Sequence, residues 1–165
     1  MKLSDIPTGS VVFIDANVPL AVIFGERNAF IAEDFLGRIE SEEIIGVTSV
    51  VVINEIFHRS LVAETCRLLG VFPTIALRKL KKEPEIFLAL HESWKVVNDF
   101  LELPLTIYQL DIDTMRSALH YSKMFQLLSN DATHIALMVK NGIQAMASFD
   151  HDLERVDCIE LYGQA

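Results

Sequence analysis

Apolar positions along the chain fall into two kinds of run: short β-branched stretches, and longer stretches of helical period. Val11-Val12-Phe13-Ile14 is a short apolar run ending at Asp15, and its length and branching predict a buried strand. Asn17 is expected to cap the helix that follows, with Pro19 in its first turn and Gly25 at its close. Arg27 to Glu40 reads as a second helix with Phe30, Ile31, Phe35, Leu36 and Ile39 turned inward. A second buried strand is predicted over Ile44 to Thr48. Ser49 then caps a long helix that runs to about Leu69 and stops at Gly70.

Pro73 opens a further helix carrying the basic run Arg78-Lys79-Leu80-Lys81-Lys82. Pro84 breaks it, and the next helix is expected from Glu85 to about Leu101. Leu105 to Tyr108 is a third strand, and Asp111 or Asp113 caps a helix to about Phe125. Ser129 or Asn130 caps another, ending at Asn141-Gly142. Ile143 to Phe149 is a fourth strand ending at Asp150, and Cys158 to Leu161 reads as a fifth. Strands alternating with helices predict an α/β fold, a three-layer α/β/α sandwich with a mainly parallel central sheet. No repeat, low-complexity tract or linker interrupts the pattern. One domain is therefore expected over 1–165, with an extended helical segment at about 71–103.

Composition agrees. With 51% hydrophobic and 22% charged residues, 165 residues carry enough apolar material for one core, which excludes global disorder. Cys66 and Cys158 form no disulfide framework and are expected to be reduced, buried hydrophobes. No run approaches about 20 apolar residues, and the opening residues lack the apolar centre of a signal peptide. The chain reads as cytoplasmic, with no membrane partner. Its net charge of −9 opposes a nucleic-acid role, because such binders carry a basic surface excess. Acids gathered at one site to hold divalent cations would reverse that local sign.

Four acids are placed to do so. Asp15 and Asp150 end predicted strands, and in an open parallel sheet the carboxyl ends of the strands line the ligand crevice. Glu55 shares a helix face with Val51, Val52 and Val62 and points inward, where an isolated carboxylate is costly. Asp131 lies in the first turn of its helix, on the face of Ile135 and Met138 and at the positive end of the dipole. Each has an ordinary explanation alone: a turn or cap for Asp15 and Asp150, an i+4 salt bridge to Arg59 for Glu55, a helix N-terminal acid for Asp131. Together at one sheet edge they would repel by about 4 kcal/mol per pair at ~4 Å, so the cluster calls for cations or shared protons. Oxygen ligands favour hard ions, Mg²⁺ or Mn²⁺. Glu64 falls on a different face of the helix from Glu55 and is expected to matter little.

Phe13-Ile14-Asp15-Ala16-Asn17, Ile53-Asn54-Glu55, Asn130-Asp131-Ala132-Thr133-His134-Ile135-Ala136 and Ser148-Phe149-Asp150-His151-Asp152 occur in that order. Together they resemble the PIN-domain nucleases, which include the VapC toxins of toxin–antitoxin pairs, over roughly Val11 to Leu161. The resemblance implies that Asp15, Glu55, Asp131 and Asp150 are the four catalytic, metal-holding acids, with Asp152 a fifth and with Asn17 and Ser148 supporting them. It also implies a metal-dependent endoribonuclease acting on RNA, a small antitoxin as partner, and a homodimer that sets two acidic sites along a shared groove. Ala16 stands where many members carry Ser or Thr, and the segment from Arg59 to Leu110 is longer than in compact members. The run Arg78, Lys79, Lys81 and Lys82 is a candidate RNA-binding face, with a solvated helix face as the plainer reading. Two other functions fit the resemblance: an RNA-processing nuclease without an antitoxin, and a silent cation- or RNA-binding module.

Other chemistries lack their residues. Asp111-Ile112-Asp113-Thr114 looks superficially like a phosphatase motif, but too little chain follows it and helix capping accounts for both acids. No Gly-rich phosphate loop is present. The five histidines lack CxxC or HExxH partners for zinc, and His134 is expected to be packed or at the surface. No G-x-S-x-G elbow is present for Ser/His/Asp hydrolysis. Trp94 follows the apolar spacing of Leu90, Val97 and Leu101 and is expected in the core.

Overall fold

A computed structural model describes residues 1–163 of the chain. Its central sheet has five strands: β1 (Val11–Ile14), β2 (Ile45–Ser49), β3 (Thr106–Tyr108), β4 (Ala145–Ala147) and β5 (Glu160–Tyr162). They lie in the order β3-β2-β1-β4-β5, and every neighbouring pair is parallel. The helices are α1 (Asn17–Phe24), α2 (Ala29–Glu40), α3 (Val50–Leu69), α4 (Pro73–Lys82), α5 (Glu92–Leu101), α6 (Ile112–Phe125) and α7 (Ser129–Lys140).

Alternation along β1 divides the core in two, because successive side chains leave opposite faces of a strand. Phe13 packs with Val52 and Ile56 of α3, Phe100 of α5, Ala118 of α6 and Ile135 and Met138 of α7. Val12 and Ile14 pack the other way, with Val18 and Ala21 of α1, Ala32, Phe35 and Ile39 of α2, and Leu3 and Ile6 near the N-terminus. The result is the α/β/α sandwich. Gly46 of β2 leaves no room for a side chain: an added Cβ would stand 2.6 Å from the Leu105 side chain and 2.8 Å from that of Ile39.

The strand order locates the crevice. From β1 the chain moves outward to β2 and β3, then returns to the other side of β1 for β4 and β5. The order therefore reverses between β1 and β4, and ligands of open parallel sheets bind at the carboxyl ends beside such a reversal. Asp15 follows β1, and Ser148 and Asp150 follow β4.

Several expectations need correction. Asn17 is not a cap but the first residue of α1, and its amide is engaged elsewhere. Neither Ser129 nor Asn130 caps α7, whose N-cap position is Leu128, without a side-chain bond. Phe30 and Ile31 of α2 are exposed rather than inward. The helix expected from Glu85 is a 3₁₀ turn over Pro84–Ala89, and α5 begins only at Glu92. Cys158 is exposed and Cys66 half-buried, both free thiols. Trp94 is only partly covered, lying between Phe57 and Phe87 at ring-centroid distances of 5.2 and 6.4 Å. Among the described residues, no single helix is long and apolar enough to cross a membrane; α3 and α4 meet at 96°.

Glu64 lies outside the acid cluster, as expected, but has a structural role that its sequence position does not reveal. From the middle of α3 its carboxylate caps α5, accepting the backbone N–H groups of His91, Glu92 and Ser93 at 2.7–3.0 Å and the Ser93 hydroxyl. Burial alone would push its pKa up, but these four bonds outweigh it and hold the group down at about 2. Glu64→Ala should therefore cost about 1–2 kcal/mol, the loss typical of a helix cap. A folded-state pKa below the unfolded one means this contribution is present above about pH 4.5 and fades as pH falls toward about 2. Urea denaturation of wild type and variant at neutral pH measures the loss; equal midpoints would show the cap to be idle.

Candidate active site

Asp15, Asn17, Glu55, Arg59, Asp131, Phe149, Asp150, His151 and Asp152 line one open cleft of about 490 Å³ at the β1/β4 reversal. All five acids expected at the site are present there, from four separate stretches of chain. Asp15 hangs from the end of β1, Glu55 from the second turn of α3, Asp131 from the first turn of α7. Asp150 and Asp152 belong to the turn after β4, where Asp150 accepts the Asp152 N–H at 2.8 Å. The cap explanation for Asp150 is thus true as well, and it sets the carboxylate at the rim. Asp152 is also paired with Arg155.

Asp15 is the anchor. It is buried, and one carboxylate oxygen, Oδ2, accepts from Ser148 Oγ and Asn17 Nδ2, each at 2.7 Å. The other, Oδ1, accepts the Ala16 backbone N–H at 2.7 Å. Ser148 Oγ in turn accepts from Asn17 Nδ2 and from the Asp150 N–H. Asn17 Oδ1 closes the network by accepting the Phe149 N–H at 3.0 Å. This network ties the β1 end to the β4 end, which is why Asn17 has no cap to give. Gly163 lets β5 approach closely here: its φ is +120°, and a Cβ would lie 2.3 Å from the Ser148 carbonyl oxygen.

Two of the acids, Asp15 and Asp131, are raised by burial and by the charges around them. Burial lifts Asp15 to about 6 against the pull of Ser148 and the Ala16 N–H, and the charges of Glu55 and Asp150 add to the rise. Asp131 is lifted to about 6 by burial and then by Asp15, Asp150, Glu55 and Asp152. No hydrogen bond to Asp131 from the described residues offsets that repulsion. Glu55 is held at both oxygens, by Asn130 Nδ2 at 2.9 Å and more loosely by Arg59 at 3.9 Å. Asn130 thus serves Glu55 rather than its own helix end.

His134 lies beneath the cleft and does not line it. Its ring is fully buried against Phe13, neither nitrogen has a hydrogen-bond partner, and Nε2 stands 3.8 Å from Asp15 Oδ1. Burial pushes its pKa down to about 4, with Glu55 pulling the other way, so near pH 7 the contact joins a neutral ring to a carboxyl group rather than an ion pair. Arg78, Lys81 and Lys82 line a separate hollow on α4 with Thr74 and Leu77, and Lys79 pairs with Glu83 at 3.0 Å. The basic run is therefore not part of the cleft wall. Arg59, Phe149 and His151 also line the cleft: the sequence offers Arg59 only as an i+4 partner for Glu55, and Phe149 and His151 only as neighbours of the motif acids.

The donor set suits a hard divalent cation: every acid offers oxygen, and two carboxyls carry unfavourable charge that a cation would relieve. Among the described residues no three His, Cys, Asp or Glu side chains already close around one point. Mg²⁺ keeps several waters and needs only one or two carboxylates directly, so an open acidic cleft fits it.

A reversal in a parallel sheet, with five acids from four segments at its carboxyl edge, defines the class. The PIN domain family model matches residues 12–158, and the chain belongs to that family. Over 150 residues it is 25% identical to Ribonuclease VapC2 of Methanocaldococcus jannaschii, covering 91% of each chain. Its fold is similar to that of VapBC2 from Rickettsia felis, solved bound to a DNA fragment from their promoter: TM-score 0.60, 11% identity, 92% of this chain and 97% of that one. It is also similar to Mycobacterium tuberculosis VapC20, described as a sarcin–ricin loop cleaving toxin: TM-score 0.59, 19% identity, 92% of this chain and 98% of that one.

Proposed function

We propose that this protein is a metal-dependent endoribonuclease that hydrolyses single-stranded RNA, and that it is the toxin of a VapBC-type toxin–antitoxin pair. The observation that carries the first part is the cleft itself, where Asp15, Glu55, Asp131, Asp150 and Asp152 face one space and Asp15 and Asp131 are raised to about 6. The second part rests on family membership and on the names of the relatives.

Asp15, Glu55, Asp131 and Asp150 are the proposed ligands of Mg²⁺ or Mn²⁺, with Asp152 at the rim. A cation held there relieves charge on the phosphoryl oxygens and makes a water more acidic. Asn17 and Ser148 hold Asp15 in one orientation, and Asn130 does the same for Glu55. Asp131, with no such donor, is the carboxylate freest to move or to take a proton from an attacking water. The basic run Arg78, Lys79, Lys81 and Lys82 is a proposed outer track for the RNA backbone. The partners are RNA, a small antitoxin and a second copy of this chain; sedimentation should show a dimer, and a monomer near 18.6 kDa at micromolar concentration would remove the last of these.

The test is cleavage of a labelled single-stranded RNA by pure protein. EDTA should stop it and Mg²⁺ or Mn²⁺ restore it, while Mn²⁺ alone should raise the melting temperature, because a cation that binds only the folded state stabilises it. Full activity in EDTA would return the acids to a structural role.

A further inference from the structure

The cleft wall contains five acids but, among the described residues, one Lys or Arg side chain: Arg59. Three features mark it as more than a partner for Glu55. The ion pair is long, 3.9 Å from Nη1 to Glu55 Oε1, and Glu55 already has a closer donor in Asn130 at 2.9 Å. Arg59 makes no hydrogen bond to the described residues, so its guanidinium donors remain unspent. Its guanidinium instead lies over the Phe24 ring, 5.8 Å from the centroid, which keeps it at the edge of the cleft while 42% of the side chain stays exposed.

A guanidinium offers a planar fork of N–H donors that matches two oxygens of a phosphate. Placed against an aromatic ring beside the carboxylates, it suits a backbone phosphate next to the one cut. The acids repel that phosphate, and Arg59 is the group placed to counter them. We infer that Arg59 binds one non-scissile phosphate of the RNA, seating the strand in register with the acidic centre. The Glu55 contact parks the side chain until the strand arrives. This rests on the nuclease reading above and deepens it. The basic run on α4 lines its own hollow and cannot substitute at the cleft wall.

The experiment uses a single-stranded RNA oligomer with Mn²⁺ and compares wild type with Arg59→Met, which keeps the aliphatic stem, and Arg59→Lys. Arg59→Met should raise KM by about 10- to 100-fold, the range for a lost charge-assisted bond, with kcat changed far less. It should also make log kcat/KM less steep against log salt by about 0.7, one phosphate contact on a single strand. Arg59→Lys should keep the salt slope and recover only part of KM, since a point charge lacks the fork.

Neutral methylphosphonates placed one at a time along the oligomer give the decisive comparison. One position should weaken wild type and have no further effect on Arg59→Met, as expected when both changes remove one contact. A loss confined to kcat, with the salt slope unchanged and every methylphosphonate effect retained, would leave Arg59 a mere holder of Glu55 and overturn the inference. If wild type fails to cut RNA with Mn²⁺, the nuclease reading fails. Equal binding of the oligomer by wild type and Arg59→Met then overturns the inference separately.

Discussion

Asp131→Asn is expected to abolish cleavage and, at the same time, to make the metal-free protein more stable at pH 7.5 by about 2–4 °C. The stability half follows from the charge distribution. Burial, then Asp15, Asp150, Glu55 and Asp152, raise this carboxyl from 3.8 to about 6. A difference of that size corresponds to about 3 kcal/mol for a fully buried group, and to about 1–2 kcal/mol once solvent screening of a half-buried one is allowed for. The opposing term, loss of an acid at a helix N-terminus, is about 0.3–1 kcal/mol, so relief of repulsion wins by about 1 kcal/mol. For a chain of this length each kcal/mol moves the melting temperature by about 2–4 °C.

The pH dependence fixes the sign. With the folded-state pKa above the unfolded one, the folded protein holds a proton on Asp131 through the window from 3.8 to about 6. Stability tied to this group is therefore present below about pH 4 and lost as pH rises through about 6. The advantage of the variant should appear across that window and vanish below it. Activity should fall by more than the about 10–100-fold that follows loss of an outer partner of a metal site, because a proposed ligand itself is removed. Melting curves at pH 4 and 7.5 without metal, beside cleavage assays, read both halves. A variant less stable at pH 7.5 would make Asp131 a structural helix-end acid.

The acidic centre was legible in the sequence because its parts obey local rules. Asp15 and Asp150 end apolar runs, so strand periodicity alone sends them to the carboxyl edge, and Glu55 breaks an apolar helical stripe. What stayed hidden depends on partners distant in the chain. Asn17 has the type and position of a helix cap, yet it bonds Ser148, 131 residues away, because the buried Asp15 has the stronger need for a donor. Glu64 looks like an ordinary surface acid on α3 until the turn at His91 brings three backbone N–H groups to it. Phe30 and Ile31 fit the helical period of α2 but lie beside the stripe of Ala32, Phe35 and Ile39 that meets the sheet. Pro84 does break the α-helix, but a 3₁₀ turn uses its fixed φ as well as an α-helix does.

The ends left by the cut should be a 5′-phosphate and a 3′-hydroxyl, and a 2′-deoxy substitution at the scissile nucleotide should slow cleavage by no more than about tenfold. RNA offers a competing route, in which its own 2′-hydroxyl attacks the phosphorus and leaves a 2′,3′-cyclic phosphate. That route is served by a base on the 2′-hydroxyl and an acid on the leaving 5′-oxygen, a task suited to two histidines facing one phosphate. Among the described residues the cleft does not present such a pair. His134 is sealed beneath Asp15 and does not line it, and His151, which does, has Nδ1 2.7 Å from Glu154 Oε1. Carboxylates crowd the opposite requirement, an attacking water and a charge-relieved phosphate, into one space. Removing the 2′-hydroxyl then costs only whatever hydrogen bond recognises it, which sets the tenfold bound. Where that hydroxyl is the nucleophile, its removal stops the reaction outright. Cyclic-phosphate ends, or a deoxy substrate that is bound and never cut, would reassign the cleavage to the RNA's own hydroxyl and leave the five acids with a binding role alone.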